Sequence, residues 1–422
     1  MLLSFTVENF KSYRDTQSLI LEPEKRLKVF EENIYTSDGY RVLKTAAIFG
    51  HNASGKSNIL EAIFFMRYIV VNSKNDELLP YLPFLYRKDT KEKPTLFEIE
   101  AVVAGKRYRY GFTYTANEIL SEWLFVKDKK ERYIFTRTKD DYKINSELLK
   151  GVKAFTKSTG KKSLFLSVCS FLQVADVKGL FEFIANLDML VSDMPSLDAM
   201  YSRKIVVVSL NRENKDQSMR VKIAEFARSA EDRENKDQSM GFKIAEFARS
   251  ADLSIQDIYS VKKSEKHDKE QEDYSIVSVH NIYDEKNMVK EQITVDFDSF
   301  ESVGTKKFVN ISHDIISALE SGGVYIIDEL DAQLHPVLVF KIIELFNSSE
   351  TNPKGAQLIF TTHCAEIMDR GMRKDQIFFV EKDEVECSRI FPLSAFKFTG
   401  NKAPEFLSKA YLFGRYGAVP SI

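Results

Sequence analysis

The sequence contains few cysteines and almost no excess of charge of either sign. It has 3 Cys, 1 Trp, 10 Pro and 17 Gly in 422 residues, and 60 basic against 62 acidic residues give a net charge of −2. Cys169, Cys364 and Cys387 are scattered, which excludes a disulfide framework or a zinc site and indicates reduced thiols in a cytoplasmic protein. The balanced charge gives no general attraction to nucleic acid, so any such contact needs a local patch.

Long apolar runs are also missing. The longest run, at 62–71, is interrupted by Arg67, whereas a membrane-spanning helix needs about 20 apolar residues. The N-terminus has Glu8 and no small-residue cleavage site, so no signal peptide and no membrane association are expected. With 44% hydrophobic and 29% charged residues, the composition is typical of a globular protein, and the length fits two or three domains.

A phosphate-binding motif occupies residues 50–57, where GHNASGKS fits the pattern G-x-x-x-x-G-K-[ST]. A buried strand is predicted directly before it, at 45–49, and a helix from Lys56 to about Val71 directly after it. In this order, loop N–H groups and the positive helix end surround a phosphate, Lys56 reaches the β- and γ-phosphates, and the Ser57 hydroxyl holds Mg²⁺. The motif therefore predicts a nucleoside triphosphate site. The candidate nucleotide-binding residues are Gly50, Asn52, Ala53, Ser54, Gly55, Lys56, Ser57 and Asn58.

Nearer the C-terminus, two predicted apolar strands each end in polar residues. The strand predicted at 324–327 ends in Asp328 and Glu329, which suits Asp328 as a Mg²⁺ ligand and Glu329 as the residue that polarises the attacking water. Another predicted strand, at 357–362, ends at His363, which could sense the γ-phosphate. The alternative interpretations are an ordinary acidic strand end and a capping histidine.

These segments resemble a known family. The stretches GHNASGKSN, YIIDELDAQLHP and LIFTTH are similar to the nucleotide-binding motifs of ABC-type ATPases of the SMC-like and OLD-like branch. The opening LLSFTVENFKSY and the ending YLFGRYGAVP resemble, more specifically, AAA-type ATPases of bacterial abortive-infection and anti-phage systems. Leu334-His335-Pro336 follows the carboxylates, which places the chain nearer the OLD-like branch. The resemblance implies ATP and Mg²⁺ as cofactors and Glu329 and His363 as catalytic residues.

The resemblance also implies a shared active site and a fold. In ABC-type enzymes two heads enclose two ATP molecules, and a signature loop of one head completes the site of the other. Ser302 and Gly304 take that role here, in a homodimer or a higher homo-oligomer. The implied fold class is α/β, an ABC-type P-loop ATPase head made of 1–75 and 295–422. An antiparallel β-meander at 76–138 and a helical arm at 139–294 are inserted in that head.

The arm contains a tandem duplication. Residues 212–230 and 233–251 match at 17 of 19 positions with a period of 21. Because 21 residues are three heptads, Ile223 and Ile244 fall on one helix stripe, as do Phe226 and Phe247. We interpret the repeat as passive arm length without chemistry.

Two functions from different classes fit these features. The first is an ATP-hydrolysing sensor or scaffold in anti-phage defence that controls a separately encoded effector, such as a nuclease or toxin, with DNA or a phage protein as a further partner. The second is an SMC-like DNA-repair ATPase that acts directly on DNA. A non-hydrolysing ATP-bound scaffold is a third hypothesis. The stretch 127–162 has twelve basic against five acidic residues, which is either a nucleic-acid or acidic-protein patch or a solvated face.

Overall fold

The computed structural model describes residues 1–73, 79–128, 130–190, 240–250, 254–262, 274–396 and 406–420. The chain divides into two compact units. Unit 1 comprises Met1–Ser192, Ala318–Ala332 and Ile342–Ile422, and unit 2 comprises Asp193–Ser317 and Gln333–Lys341.

The first part of unit 1 contains eleven strands and three α-helices within the described ranges. They are β1 (Leu2–Glu8), β2 (Gln17–Ile20), β3 (Ile34–Ser37), β4 (Tyr40–Leu43), β5 (Thr45–Phe49), α1 (Lys56–Asn72), β6 (Thr95–Val103), β7 (Lys106–Tyr114), β8 (Ile119–Lys127), β9 (Glu131–Thr138), β10 (Asp141–Ile144), α2 (Phe165–Phe171), α3 (Ala175–Ala185) and β11 (Asp188–Leu190). Short 3₁₀ helices lie at Glu31–Asn33 and Val152–Ser158.

The remaining described elements begin with a helix inside the second repeat copy. They are α4 (Met240–Ser250), β12 (Asp257–Lys262), β13 (Tyr274–Tyr283), β14 (Val289–Asp296), α5 (Phe297–Phe300), α6 (Val303–Ser321), β15 (Val324–Ile327), α7 (Pro336–Asn347), β16 (Gln357–Thr361), β17 (Ile377–Lys382), β18 (Ser388–Pro392) and α8 (Leu407–Leu412). Two more 3₁₀ turns lie at Ala365–Asp369 and Leu393–Ala395. None of the described helices is long and apolar enough to cross a membrane.

A six-stranded sheet forms the centre of unit 1, in the order β11-β15-β16-β5-β17-β18. Its strands are parallel except β18, which is antiparallel to β17. Every residue of β5, β15 and β16 is buried, because central parallel strands are covered on both faces and therefore read as continuous apolar runs. The strands predicted at 45–49 and 324–327 and the helix predicted from Lys56 are confirmed. The α/β fold class is therefore confirmed.

The second sheet of unit 1 is antiparallel, with the order β10-β9-β8-β7-β6-β1-β2. In β6 buried residues alternate with half-buried ones, as expected for a strand with one face on the core. Ala104 and Gly105 connect β6 and β7 with φ of 48° and 74°, the positive values that a tight hairpin turn requires. The predicted antiparallel meander is confirmed, and β1 extends the same sheet by pairing with β6.

The basic stretch at 127–162 contains a residue with a structural task. Arg137 is 2% exposed and donates hydrogen bonds to the carbonyls of Ser163 and Gly160, at 2.6 and 3.2 Å. The buried Glu122 carboxylate accepts from the N–H groups of Phe165 and Leu166, where α2 begins. Burial raises the pKa of Glu122, and the nearby Arg137 charge opposes that shift. Arg137 therefore fastens the α2 region to the sheet and does not belong to a surface patch.

Unit 2 has a three-stranded antiparallel sheet, β12-β13-β14. Ile244 of α4 is 2% exposed and belongs to a core cluster with Ile258, Phe297 and Val309, and the ring centroids of Phe247 and Phe308 are 4.8 Å apart. Part of the second repeat copy is thus a core helix, and not passive length as the sequence suggested. The first copy, 212–230, lies outside the described residues. The arm expected to be helical at 139–294 contains α2 to α4 among its described residues, but it also contains the strands β10 to β14.

Candidate functional site

The phosphate-binding motif joins β5 to α1 in unit 1. Lys56 opens α1 and is 6% exposed, and its Nζ donates to the carbonyl oxygens of Gly50 at 2.9 Å and of His51 at 3.1 Å. The Lys56 side chain therefore folds back over the phosphate loop, and its ammonium group binds the loop carbonyls. Burial lowers the pKa of Lys56, and the carboxylates of Asp328, Glu329 and Asp331 oppose that shift.

The loop is braced by hydroxyl groups from distant parts of unit 1. Tyr13 Oη donates to the carbonyl of Gly55 at 3.0 Å, and Ser388 Oγ donates to that of Ser54 at 2.6 Å. Ser12 Oγ lies 2.7 Å from Ser388 Oγ and also accepts from the Asn58 side chain at 2.7 Å. These bonds fix the carbonyl groups on the back of the loop.

Only glycine fits at position 55. Its φ is 106°, in a region that L side chains rarely adopt, and a Cβ there would lie 2.3 Å from Ser388 Oγ and 2.7 Å from Ser12 Oγ. The second glycine of the motif is therefore required by the bracing hydroxyls as well as by the curl of the loop.

The hydroxyl group of Thr361 makes hydrogen bonds to both Asp328 and Glu329. Asp328 is 4% exposed and accepts a hydrogen bond from Thr361 Oγ1, which in turn accepts from the Glu329 N–H at 2.7 Å. Thr361 is fully buried at the end of β16, the strand between β5 and β15. Since neighbouring strands lie about 4.8 Å apart, the ends of β5 and β15 are separated by two such steps, roughly 10 Å. Asp328, at the end of β15, therefore lies two strands away from the start of the phosphate loop at the end of β5.

His363 is held by a third carboxylate, that of Asp331. Its backbone N–H donates to Asp331 at 3.1 Å, and its side chain is exposed. Burial and the positive charge of Lys56 lower the pKa of His363, and Asp331, Glu329 and Asp328 oppose this effect. The structure therefore brings His363, the carboxylates and Lys56 within electrostatic range of one another.

The predicted signature residues lie in unit 2. Ser302 is exposed and caps α6, since its Oγ accepts from the N–H of Thr305 at 3.1 Å. A Cβ at Gly304 would lie 2.7 Å from the carbonyl oxygen of Gln333, so only glycine fits there. Ser302 and Gly304 are thus at the start of a 19-residue helix, a place where N–H groups point outward.

The donor set in unit 1 fits a nucleoside triphosphate with Mg²⁺. Ser54 Oγ is buried without a hydrogen-bond partner, an orphaned donor inside the loop. The ammonium of Lys56 and the helix end at Ser57 supply further donors for phosphate oxygens. Within the described ranges, no group of three or more His, Cys, Asp or Glu could hold a metal. Mg²⁺ usually binds through one or two protein side chains and substrate phosphates, which matches Ser57 and Asp328.

Four residues of this region were not singled out by the sequence analysis. They are Ser12, Thr361, Ser388 and Asp331. The first three carry hydroxyls that bind other functional residues from positions remote in the chain, and Asp331 holds the backbone of His363. Only Asp331 had a sequence signal, because it follows Glu329 by two positions.

Thr361→Val is expected to lower the rate of ATP hydrolysis about tenfold, because it removes the hydrogen bond from Thr361 to the Asp328 carboxylate. Valine matches the size of threonine, so the change removes the hydroxyl that positions Asp328 and the Glu329 backbone. Phosphate release measured across a Mg²⁺ titration should also give a higher half-saturating Mg²⁺ concentration. Thr361→Ser keeps the hydroxyl and should behave like the wild type. Equal rates for Thr361→Val and Thr361→Ser would contradict this role.

Comparison with known proteins gives one family match and a set of similar solved structures. The family described as "AAA domain, putative AbiEii toxin, Type IV TA system" matches residues 46–369, which is more than half of the chain. Among solved structures, the chain is similar to an SMC head domain from Thermotoga maritima, at 14% identity and a TM-score of 0.36, covering 93% of this chain and 98% of that chain. No curated protein sequence matches.

Proposed function

The chain belongs to the AAA-domain family described as putative AbiEii toxins of type IV TA systems, and we propose that it binds MgATP and hydrolyses it to ADP and phosphate. One observation supports this best. The Lys56 ammonium binds a carbonyl of its own loop and lies within electrostatic range of the carboxylates of Asp328, Glu329 and Asp331. A buried cation at the start of a helix suits the phosphates of a nucleotide, and the carboxylates beside it suit Mg²⁺.

The proposed roles follow from the positions of the side chains. Lys56 exchanges its bonds to the Gly50 and His51 carbonyls for bonds to phosphate oxygens, and Ser57 and Asp328 hold Mg²⁺. The metal supplies neutralisation of the phosphate charge. Glu329, whose backbone Thr361 fixes, orients a water and accepts its proton at the carboxylate. His363, with its pKa lowered, is a neutral donor for the γ-phosphate.

We further propose that two copies share their sites. Ser302 and Gly304 of one copy would complete the ATP site of the other, as in ABC-type heads. The exposed Ser302 hydroxyl and the N–H groups at the start of α6 can both donate to a phosphate. On this basis ATP is the ligand that joins two protomers.

Ser302→Arg tests the shared site. It is expected to leave ATP binding by the monomer unchanged, because Lys56 and Asp328 are untouched. It should abolish hydrolysis and ATP-induced dimerisation, because a bulky cation replaces the hydroxyl meant for the partner's γ-phosphate. Phosphate release and light scattering measure the two effects. Ser146→Arg, at another exposed serine, is the control and should retain both activities. Wild-type turnover by Ser302→Arg would refute the signature assignment.

At the level of the cell, we propose a sensor or scaffold in anti-phage defence. Its ATP-bound oligomer would hold or release a separately encoded effector, such as a nuclease or toxin. The support is the family description, which refers to toxins of TA systems. Co-expression with the neighbouring genes, followed by purification with and without ATP, tests it. Recovery of a stable complex is expected, whereas DNA binding at moderate salt without such a complex would favour a DNA-repair ATPase.

A further inference from the structure

The residue before Ser302 is tied to the sheet of unit 2 by its side chain. Glu301 Oε1 accepts a hydrogen bond from Ser278 Oγ at 2.6 Å and pairs with His280 Nε2 at 2.7 Å. Ser278 is fully buried, and only 9% of the Glu301 side chain is exposed. Both partners lie on β13, so two bonds hold one carboxylate oxygen against one strand.

The bonds of the adjoining residues fix the same segment. Asp296 Oδ1 caps α5 by accepting from the Ser299 N–H at 2.9 Å, and Ser302 caps α6 through Thr305. Glu301 stands between these two caps, and its N–H donates to the Phe297 carbonyl at 3.1 Å. The backbone that presents Ser302 is therefore held from both sides and in its middle.

A nearly buried carboxylate is costly unless it is paired. Removing a carboxylate from water is unfavourable, and the hydrogen bonds from Ser278 and His280 offset that cost. The two bonds on one Glu301 oxygen restrict where the next residue, Ser302, can be.

We propose that Glu301 is a positioning residue for Ser302, and that Ser278 and His280 act through it. The inference depends on the proposed role of Ser302 in the partner's ATP site. The β13 strand would then set the place at which the Ser302 hydroxyl meets the phosphate. Without the bonds from Glu301 to Ser278 and His280, the Ser302 hydroxyl is still present but no longer has a fixed position.

The first experiment separates positioning from binding. Glu301→Ala should lower kcat for ATP by about 10- to 100-fold, since displacement by about 1 Å of a group in an active site has an effect of that size. The Kd of the monomer for ATP should remain at the wild-type value, because the phosphate loop lies in unit 1. Wild-type kcat in Glu301→Ala would overturn the proposal.

The second experiment distinguishes positioning from loss of structure. Lys56→Ala and Glu301→Ala are mixed in equal amounts, so that both lesions fall in one composite site of each mixed dimer. Partial recovery of the ATPase rate, above that of either variant alone, is expected, because each mixed dimer has one intact site. Lys56→Ala mixed with Ser302→Arg is the reference pair. Recovery in the reference pair but not with Glu301→Ala would overturn the positioning role, whereas no recovery in either pair would overturn the shared site itself.

Milder variants keep the test valid if Glu301→Ala fails to fold. Glu301→Gln retains an acceptor for Ser278 and His280 and should keep kcat within about threefold of wild type, the effect of losing part of one hydrogen bond. His280→Ala should lower kcat about tenfold with unchanged Kd for ATP. In the double variant Glu301→Gln, His280→Ala, the two effects should be non-additive. Wild-type kcat in His280→Ala would contradict the proposal.

Discussion

Lys56→Ala should bind ATP about 100-fold more weakly than the wild type, because a hydrogen bond from a charged donor contributes roughly 1.5–3 kcal/mol. The expected loss is large for a second reason. Asp328, Glu329 and Asp331 lie close enough to Lys56 to oppose the lowering of its pKa by burial. Without the ammonium these carboxylates would repel the incoming phosphates. Isothermal titration calorimetry with ATP and Mg²⁺ measures the change.

Lys88→Ala is a suitable control for this measurement. Lys88 is an exposed lysine of the same unit, far in sequence from the motif. The Lys88→Ala variant loses the same positive charge as Lys56→Ala and should bind ATP with the wild-type Kd. Unchanged affinity in Lys56→Ala would mean that the nucleotide does not bind at the 50–57 loop.

Glu329→Gln should keep ATP binding and lower the hydrolysis rate by about 10²- to 10⁴-fold, the usual contribution of a general base. Glutamine has nearly the same shape but accepts no proton from the attacking water. The backbone N–H of residue 329 still donates to Thr361, so the loop should keep its geometry. ATP-bound dimers should therefore accumulate, and size-exclusion chromatography with light scattering would detect them.

Glu344→Gln, at an exposed position of α7, is the matched control and should turn over ATP at the wild-type rate. Glu329→Gln with normal turnover would remove Glu329 from the catalytic role. Glu329→Gln that hydrolyses slowly but never dimerises would separate water activation from assembly.

Motifs that are contiguous in sequence were predicted correctly. Thr45–Phe49 and the helix from Lys56 could be read directly, because an apolar strand, a glycine loop and a helix start follow one another within a few residues. The two acidic residues after Ile327 were found for the same reason. Their roles in catalysis stay predictions, as do those of His363, Ser302 and Gly304.

Contacts between remote residues could not be predicted. Ser12 and Ser388 lie 376 positions apart and meet behind the phosphate loop. Thr361 appeared only as part of an apolar strand, and nothing in its neighbourhood indicated that it binds Asp328. The three residues of β11 are too few to show a periodic pattern. Such features depend on tertiary packing, which a local pattern does not encode.

Tension that comes from the tandem repeat would reach Asp328, the proposed Mg²⁺ ligand, before it reaches the phosphate loop. Strand β11 is an edge strand of three residues, and its last carbonyl, that of Leu190, accepts from the N–H of Asp328 at 2.9 Å. The chain after Leu190 leads to the tandem repeat at 212–251. A short edge strand is the first part of a sheet to peel away under load. A pull from the repeat would therefore first break the bond between the Leu190 carbonyl and the Asp328 N–H, and so displace the carboxylate that we propose as a Mg²⁺ ligand while the loop at Lys56, two strands away, is still in place.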